Sequence, residues 1–457
     1  MPEAPNAEQP WPSAARAWYV AIILMLANTL AFVDRQALAL LVQPIKQDLA
    51  ISDTAISLLY GLSFTLFYVA VGIPIARVAD RSNRRNIIAG AIFVWSLATS
   101  LCGLARSFTS LFAARVGVGA GEGGLTPAAY SLLSDYFPKE RLALAMGVFQ
   151  MGIYFGNASA LIIGGLISTV IPPLDTVVLP LIGAIKGWQL VFLLLGIPGI
   201  VLSVMTLTVR EPVRRGVTKA EGQGEGGVPL SQFFSHIGGR WKAYLGIMCG
   251  FALMVLVGNG TAVWIPAFFE RRFGWTTAQV GQLYGPVIFL CGTAGALIGG
   301  LVASWLRKHG TAQANLRASL FGFLVLIPIT VAFPLMPTPY LALTLIGLMN
   351  FFAGFNFGGG LAALQEMTPN RMRALVSAAY MLTINLIGAA LGPTAIALVT
   401  DYGFADPQAL PYAISIVCAV ASPLSVVMLW IGLRNYREAH QAAPAAARIG
   451  DALRQSG

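Results

Sequence analysis

Four ionisable side chains sit where the chain is otherwise apolar. Asp34-Arg35 falls inside one apolar stretch, about residues 17–42, and Arg115 and Glu122 fall inside another, about residues 110–133. An acid and a base in each stretch can take up and release a proton, hold an oxyanion on a planar guanidinium, or neutralise one another as an ion pair. Both stretches are long enough to cross a bilayer as helices. A charge at that depth costs ~2.5–3.5 kcal/mol on insertion scales, so such residues mark polar pathways rather than packing. Arg115 and Glu122 are two turns apart, share one helical face, and lie roughly 10 Å from each other along it. Asp34 and Arg35 are neighbours and point about 100° apart, so they must meet different partners. Both helices read as walls of a wet cavity; for Asp34-Arg35 the alternative is that one side chain snorkels to an interface. No other carboxylate or histidine lies at comparable depth: His236, His309 and His440 are in loops or tails, and Asp135, Glu270 and Glu366 are near span ends.

The elements that must position these groups follow from composition. The 457 residues are 56% hydrophobic and 11% charged, with mean hydropathy +0.72. Soluble domains carry about 25% charged residues. Apolar runs of spanning length recur without the alternation a membrane barrel needs, which predicts an all-α membrane protein. Spans are expected at about 17–42, 54–76, 86–105, 110–133, 142–168 and 188–209, then 244–269, 280–306, 315–333, 340–366, 373–400 and 411–433. That gives about twelve helices, six in residues 17–209 and six in residues 241–434. Residues 210–240, with the run Ala220-Glu-Gly-Gln-Gly-Glu-Gly-Gly227, read as a flexible linker whose Phe233-Phe234 could lie along the membrane surface. Residues 1–16 and 435–457 read as polar tails. Residues 169–187 form a semi-apolar insert, expected outside as an extended or partly helical loop. Gly258, Gly260, Pro286 and Gly392-Pro393 are candidate bend points.

The formal charge of +10 is spread unevenly. Most lysines and arginines fall on the face shared by the tails and the linker. The loops of the opposite face hold only Lys46, Arg106, Lys186, Arg271 and Arg272. This bias predicts both termini in the cytoplasm and accounts for the charge without nucleic acid. Cys102, Cys249, Cys291 and Cys418 all lie in apolar runs, so no disulfide framework is expected. The first sixteen residues lack an apolar core, and the first span is expected to remain as an anchor.

Two motifs carry a resemblance. The loop after the second span reads Ala76-Arg-Val-Ala-Asp80-Arg81-Ser-Asn-Arg84-Arg85. It resembles the Gly-x-x-x-Asp-Arg-x-Gly-Arg-Arg signature of the major facilitator superfamily, with Ala76 and Asn83 in place of two glycines. Pro138-Lys-Glu-Arg141 after the fourth span is echoed by Pro369-Asn-Arg-Met-Arg373 after the tenth, and at that offset Gly156 falls near Gly388. Two six-helix halves related by a parallel repeat around a central cavity are what that superfamily implies. With Asp34-Arg35, Arg115-x-x-x-Gly119-x-Gly121, Glu122, Pro127, Asp135-Tyr-Phe-Pro138 and Gly187-Trp188, the first half resembles the spinster family, which exports lysolipids and sphingosine phosphate and has bacterial homologues. Sugar-acid and anion transporters share much of the fourth-span pattern, and Trp188-Gln189 stands where that family would have Trp-Arg.

The resemblance implies a proton-coupled secondary transporter working by alternating access in a bacterial inner membrane, as a monomer. Its cargo would be an amphiphilic anion or zwitterion of the lysolipid kind, or alternatively a small organic anion or sugar acid; a non-transporting receptor is a further alternative. Asp34 and Glu122 would titrate, Arg35 and Arg115 would hold the substrate's charge, and Asp80, Arg81, Arg84 and Arg85 would latch the cytoplasmic face. Protons are the coupling ion, with no organic cofactor or metal expected. The four charges sum to zero when both acids are ionised; one proton leaves +1 and frees an arginine for an anion. Burial and a neighbouring arginine act in opposite directions on a carboxylate's proton affinity, so the pH of titration stays open. Asn350-Phe-Phe-Ala-Gly-Phe-Asn-Phe-Gly-Gly-Gly360 is either an apolar wall for a lipid tail or helix packing. Gly119-Ala-Gly-Glu-Gly-Gly124 matches a dinucleotide fingerprint literally but lacks the strand before it. No zinc-protease, serine-hydrolase or P-loop motif occurs, which argues against an enzyme.

Overall fold

The computed structural model describes residues 11–79, 82–180, 182–214, 235–311, 313–356, 359–369 and 372–455. The first six crossings comprise α1 (Ala14–Leu40) with a short α2 (Val42–Leu49), α3 (Asp53–Tyr60) continued by α4 (Leu62–Ala79), α5 (Arg84–Cys102), α6 (Phe108–Glu122) continued by α7 (Leu125–Tyr136), α8 (Lys139–Val170) and α9 (Gly187–Thr206). The second six comprise α10 (Trp241–Phe273), α11 (Thr277–Lys308), α12 (Ala314–Ala332), α13 (Pro339–Ala353) followed by α14 (Gly359–Met367), α15 (Arg373–Thr383) continued by π turns and α16 (Leu391–Leu398), and α17 (Leu410–Gln455). Ten of these crossings are long and apolar enough to span on their own. The other two, α6–α7 and α13–α14, cross in pieces.

Those breaks are the main departures from the expected continuous spans. The fourth crossing ends at Glu122 and restarts at Leu125, because Gly123 and Gly124 follow one another and glycine weakens a helix interior. The tenth is interrupted after Ala353, where Gly354 begins a 3₁₀ turn. The eleventh contains two π stretches, Ile384–Ala390 and Val399–Phe404. The twelfth does not stop near Leu433 but continues to Gln455. The insert closes as an antiparallel hairpin, β1 (Thr176–Leu179) with β2 (Gly183–Lys186), Thr176 opposite Lys186. Gly183 takes the positive φ its turn requires, +86°. The Phe233-Phe234 surface segment lies outside the described residues.

The internal repeat is visible in the packing. A Cβ on Gly156 would fall on the Thr29 carbonyl of α1, and one on Gly388 would meet Val255 of α10. The fifth crossing thus leans on the first as the eleventh leans on the seventh. Candidate bend points Gly260 and Gly392 press against each other, and the Trp264 indole donates to the Pro393 carbonyl at 3.0 Å.

The halves join along α8 and α11, where Gly165 faces Gly281 and the Phe155 and Phe289 rings stand 5.0 Å apart. Polar ties between the halves cluster on the face opposite the chain ends, here the hairpin face. Arg271 donates to both oxygens of Asp53 at 2.6 and 2.7 Å, and Lys46 joins the same carboxylate at 2.7 Å. Asp401 accepts from both the amide and the hydroxyl of Thr54, at 2.7 Å each.

Candidate functional site

A serine capping box, Ser107 with Ser110, starts α6 and sets its register. Arg115 and Glu122 then face inward two turns apart, both buried. Glycine lets that face approach its neighbours: a Cβ on Gly119 would land on the Phe64 carbonyl of α4, and one on Gly121 would press the Trp95 backbone of α5. The close approach packs α6 against the second and third crossings, and Glu122 meets the first span through the Arg35 side chain.

Asp34 and Arg35 diverge as their helical spacing requires. Arg35 donates from Nε at 2.9 Å and from Nη2 at 2.5 Å, both to Oε2 of Glu122. Asp34 turns instead toward α5, where the Thr99 hydroxyl donates to it at 2.9 Å. Arg35 keeps 24% of its side chain exposed, whereas Glu122 keeps 1%. The pair therefore sits at the edge of an opening, with the acid behind and the base in front.

Rings surround the base. The Arg35 guanidinium lies 4.3 Å from the centre of Phe64, 4.8 Å from Phe32 and 5.4 Å from Tyr68. Cation–π contacts of this kind are worth about 0.5–2 kcal/mol each, most when water is excluded. Arg115 also lies over the Phe64 ring, at 5.7 Å. It is wholly buried, and its Nε, Nη1 and Nη2 have no hydrogen-bond partner among the described residues. Glu122 Oε1 is likewise unpartnered. In this conformation Arg35 faces the opening and Arg115 stands behind it, so the two arginines expected to share substrate binding occupy different layers.

Of the four residues expected to latch the cytoplasmic face, Asp80 and Arg81 lie outside the described residues. Arg84 is buried and holds its own half together: it donates to Asp135 at 2.5 Å, to Glu211 at 2.7 Å and to Ser131 at 2.9 Å. Arg85 reaches the carbonyls of Leu207 and Val209 at 3.4 Å. Both arginines contact the first half, because the segment after α9 folds back over this loop; Arg214 donates to the carbonyls of Ala79 and Ser82.

Sequence reasoning missed Phe32, Tyr60, Phe64, Tyr68 and Thr99. The available signal was Tyr60-x-x-x-Phe64-x-x-x-Tyr68, an aromatic stripe at helical spacing in a span without charges. The aromatic stretch of the tenth span resolves as packing: Phe351 and Phe355 press on Gly295 and Gly299 of α11, and Phe352 and Phe355 meet Phe321. Among the described residues no cluster of three or more His, Cys, Asp or Glu could hold a metal ion.

The model of the major facilitator superfamily matches residues 24–393. This chain belongs to the major facilitator superfamily. It is 28% identical over 429 residues to an MFS-type efflux pump of Mycolicibacterium smegmatis, covering 92% of this chain and 94% of that one. It is 27% identical over 351 residues to a probable L-galactonate transporter of Escherichia coli, 74% of each chain. Among solved structures it is similar to a bacterial homologue of the human lysosomal transporter Spinster in an inward-facing, unoccupied conformation. That likeness has a TM-score of 0.73 and 27% identity, over 95% of this chain and 99% of the other. Membership of that superfamily makes this chain a multi-pass membrane transporter rather than an enzyme.

Proposed function

We propose that this transporter couples proton movement to transport of an amphiphilic anion or zwitterion of the lysolipid kind, by alternating access in a bacterial inner membrane with both termini cytoplasmic. The observation that carries the reading is the Arg35–Glu122 pair, its base open and its acid closed off, inside a ring of aromatic side chains. A buried pair is expensive to break one-sidedly, about 3–5 kcal/mol, because one charge is left uncompensated. Protonating Glu122 removes that charge and releases Arg35 to an oxyanion, which a planar guanidinium suits. Asp34, held only by a hydroxyl among the described residues, is the second titrating group. Arg115 supplies fixed positive charge behind the site. Co-binding of proton and anion follows from this charge balance. The rings around Arg35 suit an amphiphile, whose apolar part can lie against them while its head is paired.

A second reading, a sugar-acid carrier, is supported by the similarity to a probable L-galactonate transporter. It uses the same arginine for a carboxylate. Flux into proteoliposomes under an imposed pH gradient tests both readings. Lysolipid should move only with a proton gradient and should be competed weakly by galactonate. Galactonate flux without lysolipid flux selects the second reading, and gradient-independent flux of both removes proton coupling.

A further inference from the structure

Arg35 uses only part of its hydrogen-bonding capacity. Nε and Nη2 are both spent on one oxygen of Glu122, and Nη1 makes no hydrogen bond among the described residues. The helix that faces it carries Tyr60, Phe64 and Tyr68, which share one side at a spacing of four residues. Phe64 sits level with the guanidinium, and the Tyr68 ring stacks on it with centres 5.5 Å apart. Both phenols lie within electrostatic reach of Arg35, and Tyr60 also of Arg115 and Glu122. Neither tyrosine is fully buried, and neither hydroxyl has a hydrogen-bond partner among the described residues. The two phenol-bearing positions thus lie about one turn to either side of Phe64, the residue beside the cation, roughly 12 Å apart along the helix axis.

A phenol both donates and accepts. A hydroxyl on each side of a cation suits a ligand whose charge sits centrally and whose alcohol groups extend along the membrane normal. The span from Thr54 to Gly72 itself contains no basic residue, so on that helix the two phenols are neutral partners beside the cation. We propose that Tyr60 and Tyr68 are specificity-determining residues of this site, and that its substrate is a hydroxylated oxyanion. The inference rests on the reading of Arg35 as the anion-holding group. A glycerophosphate lipid head and an aldonic acid share this chemistry, and the test separates them.

The test is binding to the purified full-length protein by titration calorimetry, using two matched pairs: lysophosphatidylglycerol against its propanol-headed analogue, and gluconate against hexanoate. In each pair only the hydroxyls differ. The native protein should prefer the hydroxylated member of one pair by tenfold or more, and the pair that shows it names the source. Tyr60→Phe and Tyr68→Phe keep the rings. Each should cut that preference about five- to tenfold, the scale of one neutral hydrogen bond, while affinity for the member lacking the varied hydroxyls changes less than twofold. The proposal is overturned if the native protein shows no hydroxyl preference, if the phenylalanine variants weaken both members equally, or if the double variant keeps the preference. Arg35→Gln tests the underlying reading separately: it should abolish binding of all four ligands, and retained binding would refute the anion site whatever the tyrosines do.

Discussion

Asp401 at the end of the eleventh crossing accepts the backbone amide and the hydroxyl of Thr54 at the start of the second, so one half of the molecule caps a helix of the other. A carboxylate at a helix N-terminus is favoured by the helix dipole and by unpaired amides. Beside it, Asp53 is fully buried and shared by Lys46 and Arg271. The hairpin face is thus sealed by two acids, each holding groups across or next to the division between halves.

Breaking this seal should open that face. Asp53→Asn leaves Lys46 and Arg271 facing an amide, and loss of a buried partner costs about 3–5 kcal/mol. A bias of even about 3 kcal/mol moves a two-state ratio by roughly a hundredfold. Spin-label distances between the hairpin-face ends of the second and eleventh crossings should shift to a longer population in Asp53→Asn, and less so in Asp401→Asn. Unchanged distances in both would show that the seal is held by apolar packing.

The buried pair predicts asymmetric stability effects. Glu122→Ala strands Arg35 and should lower stability by about 3–5 kcal/mol. Removing both charges, with Arg35→Leu and Glu122→Leu together, should recover most of that loss. Thermal unfolding in detergent measures both variants, and a double variant as unstable as the single one would contradict the pairing.

Close helix approach at the site predicts a steric penalty. Gly119→Ala places a methyl group on the Phe64 carbonyl, and overpacking of this kind costs about 1–3 kcal/mol. Gly90→Ala, with open space around it, is the matched control. Equal melting temperatures for the two variants would mean that α4 and α6 have room between them.

Outside the membrane, His236 should add a pH slope to stability. Burial, and then the positive Arg240, hold its imidazole below the usual value of 6.5. Arg240 can only donate, so the contact at 3.1 Å makes His236 Nδ1 the acceptor and leaves Nε2 to donate to Tyr244 at 3.1 Å. The folded state thus prefers the neutral ring, and its contribution is complete above pH 6.5. As pH falls below 6.5 the unfolded chain binds the proton first, and stability declines until the folded-state value is passed. His236→Gln should flatten the difference in melting temperature between pH 7.5 and 5.5. An undiminished slope would place its origin elsewhere.

What was legible in the sequence follows the distance over which its signals act. Asp34, Arg35, Arg115 and Glu122 stood out because a charge in an apolar run is costly wherever the run packs. The pairing of Arg35 with Glu122 and the turn of Asp34 toward Thr99 needed the relative rotation of α1, α5 and α6, which no single span encodes. Gly156 and Gly388 revealed the repeat because each permits one close helix contact. The break at Gly123-Gly124 was hidden by hydropathy that continues across it. Asp53, Arg271 and Asp401 carry no local signal, since only the folded chain brings residues more than two hundred positions apart together. Arg115 matched a motif, but its depth behind Phe64 is a matter of packing.

The most direct test is the pH dependence of the distance between the two halves, measured by paired labels on the face carrying the chain ends. In the native protein, acidification should shift the distance distribution. In Glu122→Gln the shift should shrink, and in Glu122→Gln with Asp34→Asn it should vanish. A double variant that keeps the full native response would contradict proton coupling through these two carboxylates.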